Sequence, residues 1–151
     1  MKKMSPQNLT VSQSEAQTIE IAQHYASAIK TPRLICLEGD LGAGKSVFAR
    51  ALIRALCSDA KMDVPSPTFT LLQTYEAPHF PIWHFDLYRL EDCEEVHALG
   101  FEDGLGQALM IVEWPDRLGY LVPQSYTQIT ITLDDAATNN NVRHIEIKDF
   151  G

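Results

Sequence analysis

Apolar positions along the first third of the chain change period twice. Ile19, Ala22, Ala26 and Ile29 recur at helical intervals until Thr31-Pro32, and Ser12-Gln13-Ser14-Glu15 ahead of them has capping-box spacing. An amphipathic helix is expected there, stopped by Pro32, which disfavours the helical region for the residue before it. The next apolar stretch, Leu34-Ile35-Cys36-Leu37 within residues 33–38, is continuous rather than periodic and lies between Pro32 and Gly39. Such a run predicts a central parallel strand covered on both faces. Beyond a glycine-rich turn, Val47, Phe48, Ala51, Leu52, Ala55 and Leu56 mark one face of a helix, with Arg50 and Arg54 on the other.

Val64-Pro65-Ser66-Pro67 cannot be helical, and it leads into two segments, 68–75 and 82–90, rich in β-branched and aromatic residues. With two prolines in the connection 77–81, these predict a β-hairpin. In 82–90, period two places His84, Asp86 and Tyr88 on a polar face and Trp83, Phe85 and Leu87 on an apolar one. Residues 91–99 predict a short helix ending at Gly100, and Leu109-Met110-Ile111-Val112 predicts a second buried strand that stops at an acid, Glu113. The tail alternates through Ile129, Ile131, Leu133 and then Ile145, Ile147, around a polar stretch 134–141 that reads as an exposed hairpin turn.

The turn between the first predicted strand and the second helix carries chemistry. Gly39-Asp40-Leu41-Gly42-Ala43-Gly44-Lys45-Ser46 has the Walker A spacing, two glycines four residues apart followed by Lys-Ser, in the strand-to-helix context that the motif requires. Its glycines let successive N–H groups and the positive helix end face phosphate oxygens, from Gly39 through Val47. Lys45 would reach the β- and γ-phosphates, and the Ser46 hydroxyl would bind Mg²⁺. Mg²⁺ takes oxygen ligands and keeps several waters, so an acid near Ser46 is needed. Glu113, closing an apolar strand, is the first candidate. Asp86, on the polar face of 82–90, is the second: it could order a water, hold a metal-bound water or accept a proton. His84 reads as a local hydrogen-bond partner.

Composition narrows the class. A chain of 151 residues, 45% hydrophobic, suits one domain, and 20 acidic against 12 basic residues give a formal charge of -8. Such a field opposes a phosphate backbone, so any nucleic-acid connection is expected to run through a partner. Met1-Lys2-Lys3-Met4-Ser5-Pro6 begins like a signal n-region, but polar residues follow, and no export or membrane segment is expected. Cys36, Cys57 and Cys93 are odd in number and widely spaced, which reads as reduced packing residues of a cytosolic protein.

Four motifs in order, Gly39-Asp40-Leu41-Gly42-Ala43-Gly44-Lys45-Ser46, Ser66-Pro67-Thr68-Phe69, His84-Phe85-Asp86-Leu87-Tyr88-Arg89-Leu90 and Val112-Glu113-Trp114-Pro115, resemble those of the bacterial TsaE (YjeE) family. The resemblance implies an ATPase subunit of tRNA threonylcarbamoyladenosine biosynthesis that works with TsaB and TsaD, the latter transferring the threonylcarbamoyl group to tRNA. It implies that Lys45 and the loop bind ATP, that Ser46 and Glu113 serve Mg²⁺, and that Asp86 is needed for hydrolysis. The 66–68 segment resembles the family's switch-like loop, with Thr68 or Thr70 nearest the γ-phosphate. Trp114 beside the metal acid is open between packing and a partner or nucleotide contact. Ser46 departs from the common threonine while keeping the hydroxyl.

Three rivals remain in view. A small-molecule P-loop kinase would need an arginine-rich lid, whereas Arg33, Arg50, Arg54, Arg89, Arg117 and Arg143 form no cluster. Among them Arg89 and Arg117 are the only candidates for stabilising charge, with surface salt bridging the commoner role for such residues. A GTPase is suggested by Asp103-Gly104-Leu105-Gly106, which fits D-x-x-G but follows no apolar strand, and no N-K-x-D segment reads guanine. A nucleotide-gated binding module with negligible turnover is the third. The expected architecture is a three-layer α/β/α P-loop NTPase domain over residues 1–151, with a mixed, mainly parallel sheet.

Overall fold

A computed structural model describes residues 8–136 and 141–151. The lysines of the N-terminal stretch and part of the polar 134–141 turn therefore lie outside the described residues. Seven strands form one mixed sheet in the order β1-β7-β6-β2-β5-β4-β3. The strands are β1 (Asn8–Ser12), β2 (Leu34–Glu38), β3 (Leu72–Glu76), β4 (Pro81–Asp86), β5 (Leu109–Glu113), β6 (Tyr126–Leu133) and β7 (Arg143–Phe150). The centre β6-β2-β5-β4 is parallel, while β1, β7 and β3 join antiparallel at the flanks.

The continuous apolar runs are strands covered on both faces. Ile35 and Leu37 of β2 and Leu109 and Ile111 of β5 enter one core, beneath α1 (Glu15–Ala28) and α2 (Lys45–Leu56). Leu34 and Cys36, with Met110 and Val112, enter the other, beneath α3 (Glu94–Ala98), α4 (Phe101–Gly104) and a 3₁₀ segment, Pro115–Leu121. The result is the expected three-layer α/β/α arrangement. Burial raises the Cys36 thiol to about 12, so it stays a protonated packing group, and all three cysteines are free.

Several boundaries differ from expectation. The helix cap is Ser14, not Ser12: the Ser14 hydroxyl accepts from the Gln17 N–H at 3.1 Å, and the Gln17 side chain accepts from the Gln13 N–H. Ser12 instead ends β1, an edge strand absent from the sequence reading, and its buried hydroxyl donates to Ser14 O and bonds the Thr18 hydroxyl. The hairpin is present, in register from Leu72↔Phe85 to Glu76↔Pro81. Its first strand starts at Leu72, however, because 68–71 close a turn through Leu71 N–H to Pro67 O at 2.7 Å. Its second strand stops at Asp86; Leu87 and Leu90 are buried in a turn, which accounts for their apolar signal. The Asp103-Gly104-Leu105-Gly106 match has a packing origin, since a Cβ on Gly104 would sit 2.4 Å from the Trp83 ring.

Candidate phosphate-binding site

The loop that joins β2 to α2 is shaped by its glycines. Gly39 has φ +156° and no room for a side chain, because a Cβ would lie 2.5 Å from the carbonyl oxygen of Ile131 on β6. Gly44 has φ +111° and caps α2 without a side-chain acceptor, and no acid lies in the first helical turn. The first N–H groups of a 12-residue helix are thus left for an external anion. Ser46, second residue of that helix, is exposed, and Leu41 at the loop tip is 67% exposed.

Lys45 is buried. Its ammonium donates to the carbonyl of Gly39 and lies 3.6 Å from the centroid of the Trp114 ring. Burial lowers its pKa, and the carboxylates of Glu113, Asp86, Asp40 and Asp116 oppose that shift. Glu38, Gly39, Asp40, Lys45, Trp114 and Asp116 line a cavity of about 340 Å³. Trp114 adopts a left-handed conformation, φ +59°, unusual for a residue with a large side chain, and its ring also packs against Tyr88 at 5.0 Å. Its ring therefore backs the loop lysine while also packing at the margin of the second core.

Asp86 and Glu113 end the adjacent parallel strands β4 and β5 and are paired in register, so their side chains leave the same face, toward α2. Both are buried, and of the polar face named for 82–90 His84 and Asp86 turn inward while Tyr88 is 42% exposed. Asp86 is tied by the Thr68 hydroxyl, donating at 2.9 Å, and by the Tyr88 N–H at 3.0 Å. Thr68 also bonds the Ser66 hydroxyl at 2.8 Å, whereas Thr70 accepts from the Gln73 amide, so only Thr68 of the two faces this site. Glu113 is held at 2.8 Å by Nε2 of His84, itself 2% exposed. Histidine here is a local hydrogen-bond partner, as its position suggested.

Two buried neighbouring carboxylates are costly unless a cation shares them. The Lys45 ammonium supplies one such charge, and Mg²⁺, which takes oxygen ligands, would supply another. Among the described residues no group of three or more His, Cys, Asp or Glu side chains could hold a metal alone. Phosphate oxygens and water would have to complete the shell, as is usual for Mg²⁺.

Of the two arginines named from the sequence, Arg117 pairs with Asp116 at 3.8 Å, the surface ion pairing usual for such a residue. Arg89 lies over the Phe69 ring at 4.8 Å, and Arg117 bonds Leu90 O at 3.2 Å. Neither reaches the loop. Arg143, at the start of β7, does: its Nε donates to Ala43 O at 2.7 Å. No local pattern announces a contact between residues a hundred positions apart.

Residues 12–144 match the family model described as threonylcarbamoyl adenosine biosynthesis protein TsaE. The chain belongs to the TsaE family. Among TsaE proteins, that of Rickettsia bellii is 40% identical over 126 residues, 83% of this chain and 87% of its own length. That of Bacillus subtilis is 37% identical over 116 residues, 76% of this chain and 71% of its own. The crystal structure of Bacillus subtilis YdiB aligns with a TM-score of 0.73 at 28% identity, covering 100% of this chain and 88% of that one. The TsaE motifs quoted from the sequence all fall within the matched span.

Proposed function

We propose that this TsaE-family chain binds ATP with Mg²⁺ and hydrolyses it, slowly when alone, as the ATPase subunit needed for threonylcarbamoyladenosine modification of tRNA. The observation that carries the reading is the juxtaposition of an uncapped helix N-terminus bearing Lys45 and Ser46 with the in-register carboxylates of Asp86 and Glu113.

Gly39, Asp40, Leu41, Gly42, Ala43, Gly44 and Val47 form the cradle, where backbone N–H groups from Gly44 onward meet phosphate oxygens, the Ala43 N–H being held by Asp40 O. Lys45 leaves Gly39 O and the Trp114 ring to neutralise the β- and γ-phosphates, which relieves its burial among hydrogen-bonding groups too few for an ammonium. Ser46 and Glu113 would hold Mg²⁺, which when bound would offset the negative charge that develops on the phosphates. His84 keeps the Glu113 carboxylate aimed at α2. Asp86 orients or deprotonates the attacking water, and Thr68, now on Asp86, is placed to turn toward the γ-phosphate. The absence of an arginine cluster favours this reading over a small-molecule kinase, and Arg89 and Arg117 rest on Phe69 and Leu90.

The protein acts in the cytoplasm on a TsaB–TsaD type complex, and tRNA is reached through those partners. Calorimetry with MgATP and a turnover assay with and without such partners test this: submicromolar to micromolar binding and partner-stimulated hydrolysis are expected. Tight, salt-sensitive tRNA binding by the isolated chain would overturn the indirect role, because a charge of -8 leaves little counterion release to drive it.

A further inference from the structure

The phosphate loop has two walls. One is the chemistry described above, on β4 and β5. The other is the β6–β7 hairpin, which touches the loop at both ends: Ile131 O abuts Gly39, and Arg143 reaches Gly42 and Ala43. Something must fix the middle of this loop, because its own side chains cannot. Gly42 has φ +80° and open space around it, so no packing holds that residue in place. One turn bond, Ala43 N–H to Asp40 O at 3.0 Å, and the burial of the Ala43 methyl are what the loop supplies itself.

Resting on the phosphate-loop reading, we propose that Arg143 is a positioning residue for nucleotide binding, which sets the direction of the Gly44 N–H by holding the Ala43 carbonyl. A trans peptide is planar, so the C=O of one residue and the N–H of the next point in opposite directions. Arg143 Nε holds Ala43 O at 2.7 Å from the hairpin side, which turns the Gly44 N–H away from the hairpin, toward the anion site. Nη2 adds a longer contact to Gly42 O at 3.5 Å. Two donors fixed in one plane and aimed at successive carbonyls suit a guanidinium and not an ammonium. The carbonyls of the loop would otherwise point their partial negative charge into water beside a triphosphate. Arg143 covers that charge as well as orienting it. The C-terminal hairpin is thereby part of the nucleotide site, although it contributes no residue to the Walker motif.

The test compares Arg143→Ala and Arg143→Lys with the wild type and with Ile147→Ala, a hairpin variant that lowers stability without touching the loop. MgATP affinity is measured by calorimetry well below every unfolding midpoint. Losing a charge-assisted hydrogen bond predicts about tenfold weaker binding for Arg143→Ala and a smaller loss for Arg143→Lys. Ile147→Ala should bind as the wild type does, and millimolar guanidinium should restore part of the affinity of Arg143→Ala. The Gly44 amide resonance should shift on nucleotide addition in the wild type and less in Arg143→Ala. A folded Arg143→Ala with wild-type affinity overturns the proposal, as does an affinity loss matched by Ile147→Ala at equal stability. If Arg143→Ala does not fold, Arg143→Lys decides by the same readings. A wild-type protein that binds no MgATP would instead sink the phosphate-loop reading and this proposal with it.

Discussion

The two ends of the parallel strands differ in a way that cavity size conceals. At the amino ends of β2 and β6, a cleft of about 470 Å³ is lined by Arg33, Leu34, Tyr126, Thr127 and Asp149, larger than the 340 Å³ beside Lys45. Yet the buried acidic and basic side chains among the described residues, Lys45, His84, Asp86 and Glu113, all lie at or beside the carboxyl ends. At the amino end the buried polar groups are uncharged: the Thr127 hydroxyl, closed onto Asp149 at 2.6 Å, and the Tyr25 hydroxyl, whose burial raises its pKa. Burying charge costs stability, and a fold keeps such groups where a ligand or a function offsets the cost. The carboxyl ends also receive the loops that follow parallel strands, so backbone N–H groups and side chains converge there. Buried charge, rather than volume, separates the proposed nucleotide end, the working end of that reading, from the other.

The largest effect expected at the working end is that of Lys45→Ala. Removing the ammonium should weaken MgATP binding about a hundredfold, since it removes charge-assisted bonds to two phosphates. The fold should persist, because burial already disfavours this charge, as its lowered pKa records. The sign follows: with the folded value below the unfolded one, the protonated lysine costs stability at neutral pH, and the cost fades as pH rises through the folded value. Calorimetry and thermal melts on the same sample check both halves, and unchanged affinity in a folded variant would erase the contrast between the two ends.

Asp86→Asn and Glu113→Gln should divide the site. Asparagine keeps the shape of Asp86 and can still accept from the Tyr88 N–H, so binding should survive while turnover drops about a hundredfold. Glutamine at 113 keeps a partner for His84 but loses a charge, so the Mg²⁺ concentration needed for half-maximal binding should rise about tenfold. Magnesium titrations of nucleotide binding, run beside single-turnover hydrolysis, distinguish them. Wild-type turnover for Asp86→Asn in the presence of partners would return that residue to a structural role.

How much of this was legible beforehand follows from the range of each interaction. Phosphate-loop spacing is local: a strand, a glycine turn and Lys-Ser are contiguous, and the structure keeps them so. Asp86 and Glu113 could be named because each ends a β-rich segment, but their side-by-side pairing depends on β4 joining β5, which no local pattern fixes. His84 could be named as a hydrogen-bond partner, though not whose. Arg143 was invisible for the same reason, lying a hundred residues from the carbonyl it holds. The edge strand β1 escaped notice because Leu9 and Val11 are 59% and 41% exposed, so its apolar residues enter no core. Turn chemistry explains the shortened hairpin: Leu71, at φ +67°, bends a segment that composition alone reads as strand.

The smallest effect is expected at the amino ends, and it carries the comparison's sharpest test. Thr127→Val is nearly isosteric, and it removes the hydroxyl that donates to Asp149 while leaving a methyl in the same buried position. Asp149 is exposed, so water can replace the lost donor, and the penalty should be that of one modest hydrogen bond, about 1 kcal/mol. For a chain of this length that lowers the melting midpoint by roughly 2–4 °C. The affinity for MgATP should not move, because β6 meets the phosphate loop at Ile131, at the other end of the strand, through a backbone carbonyl that the substitution does not displace. Stability and affinity measured on one preparation decide the matter. A fall in affinity of the size expected for Arg143→Ala would mean that strain at the amino ends reaches the loop through β6. The two ends would then be coupled, and the larger cleft would have to be counted as part of the nucleotide machinery.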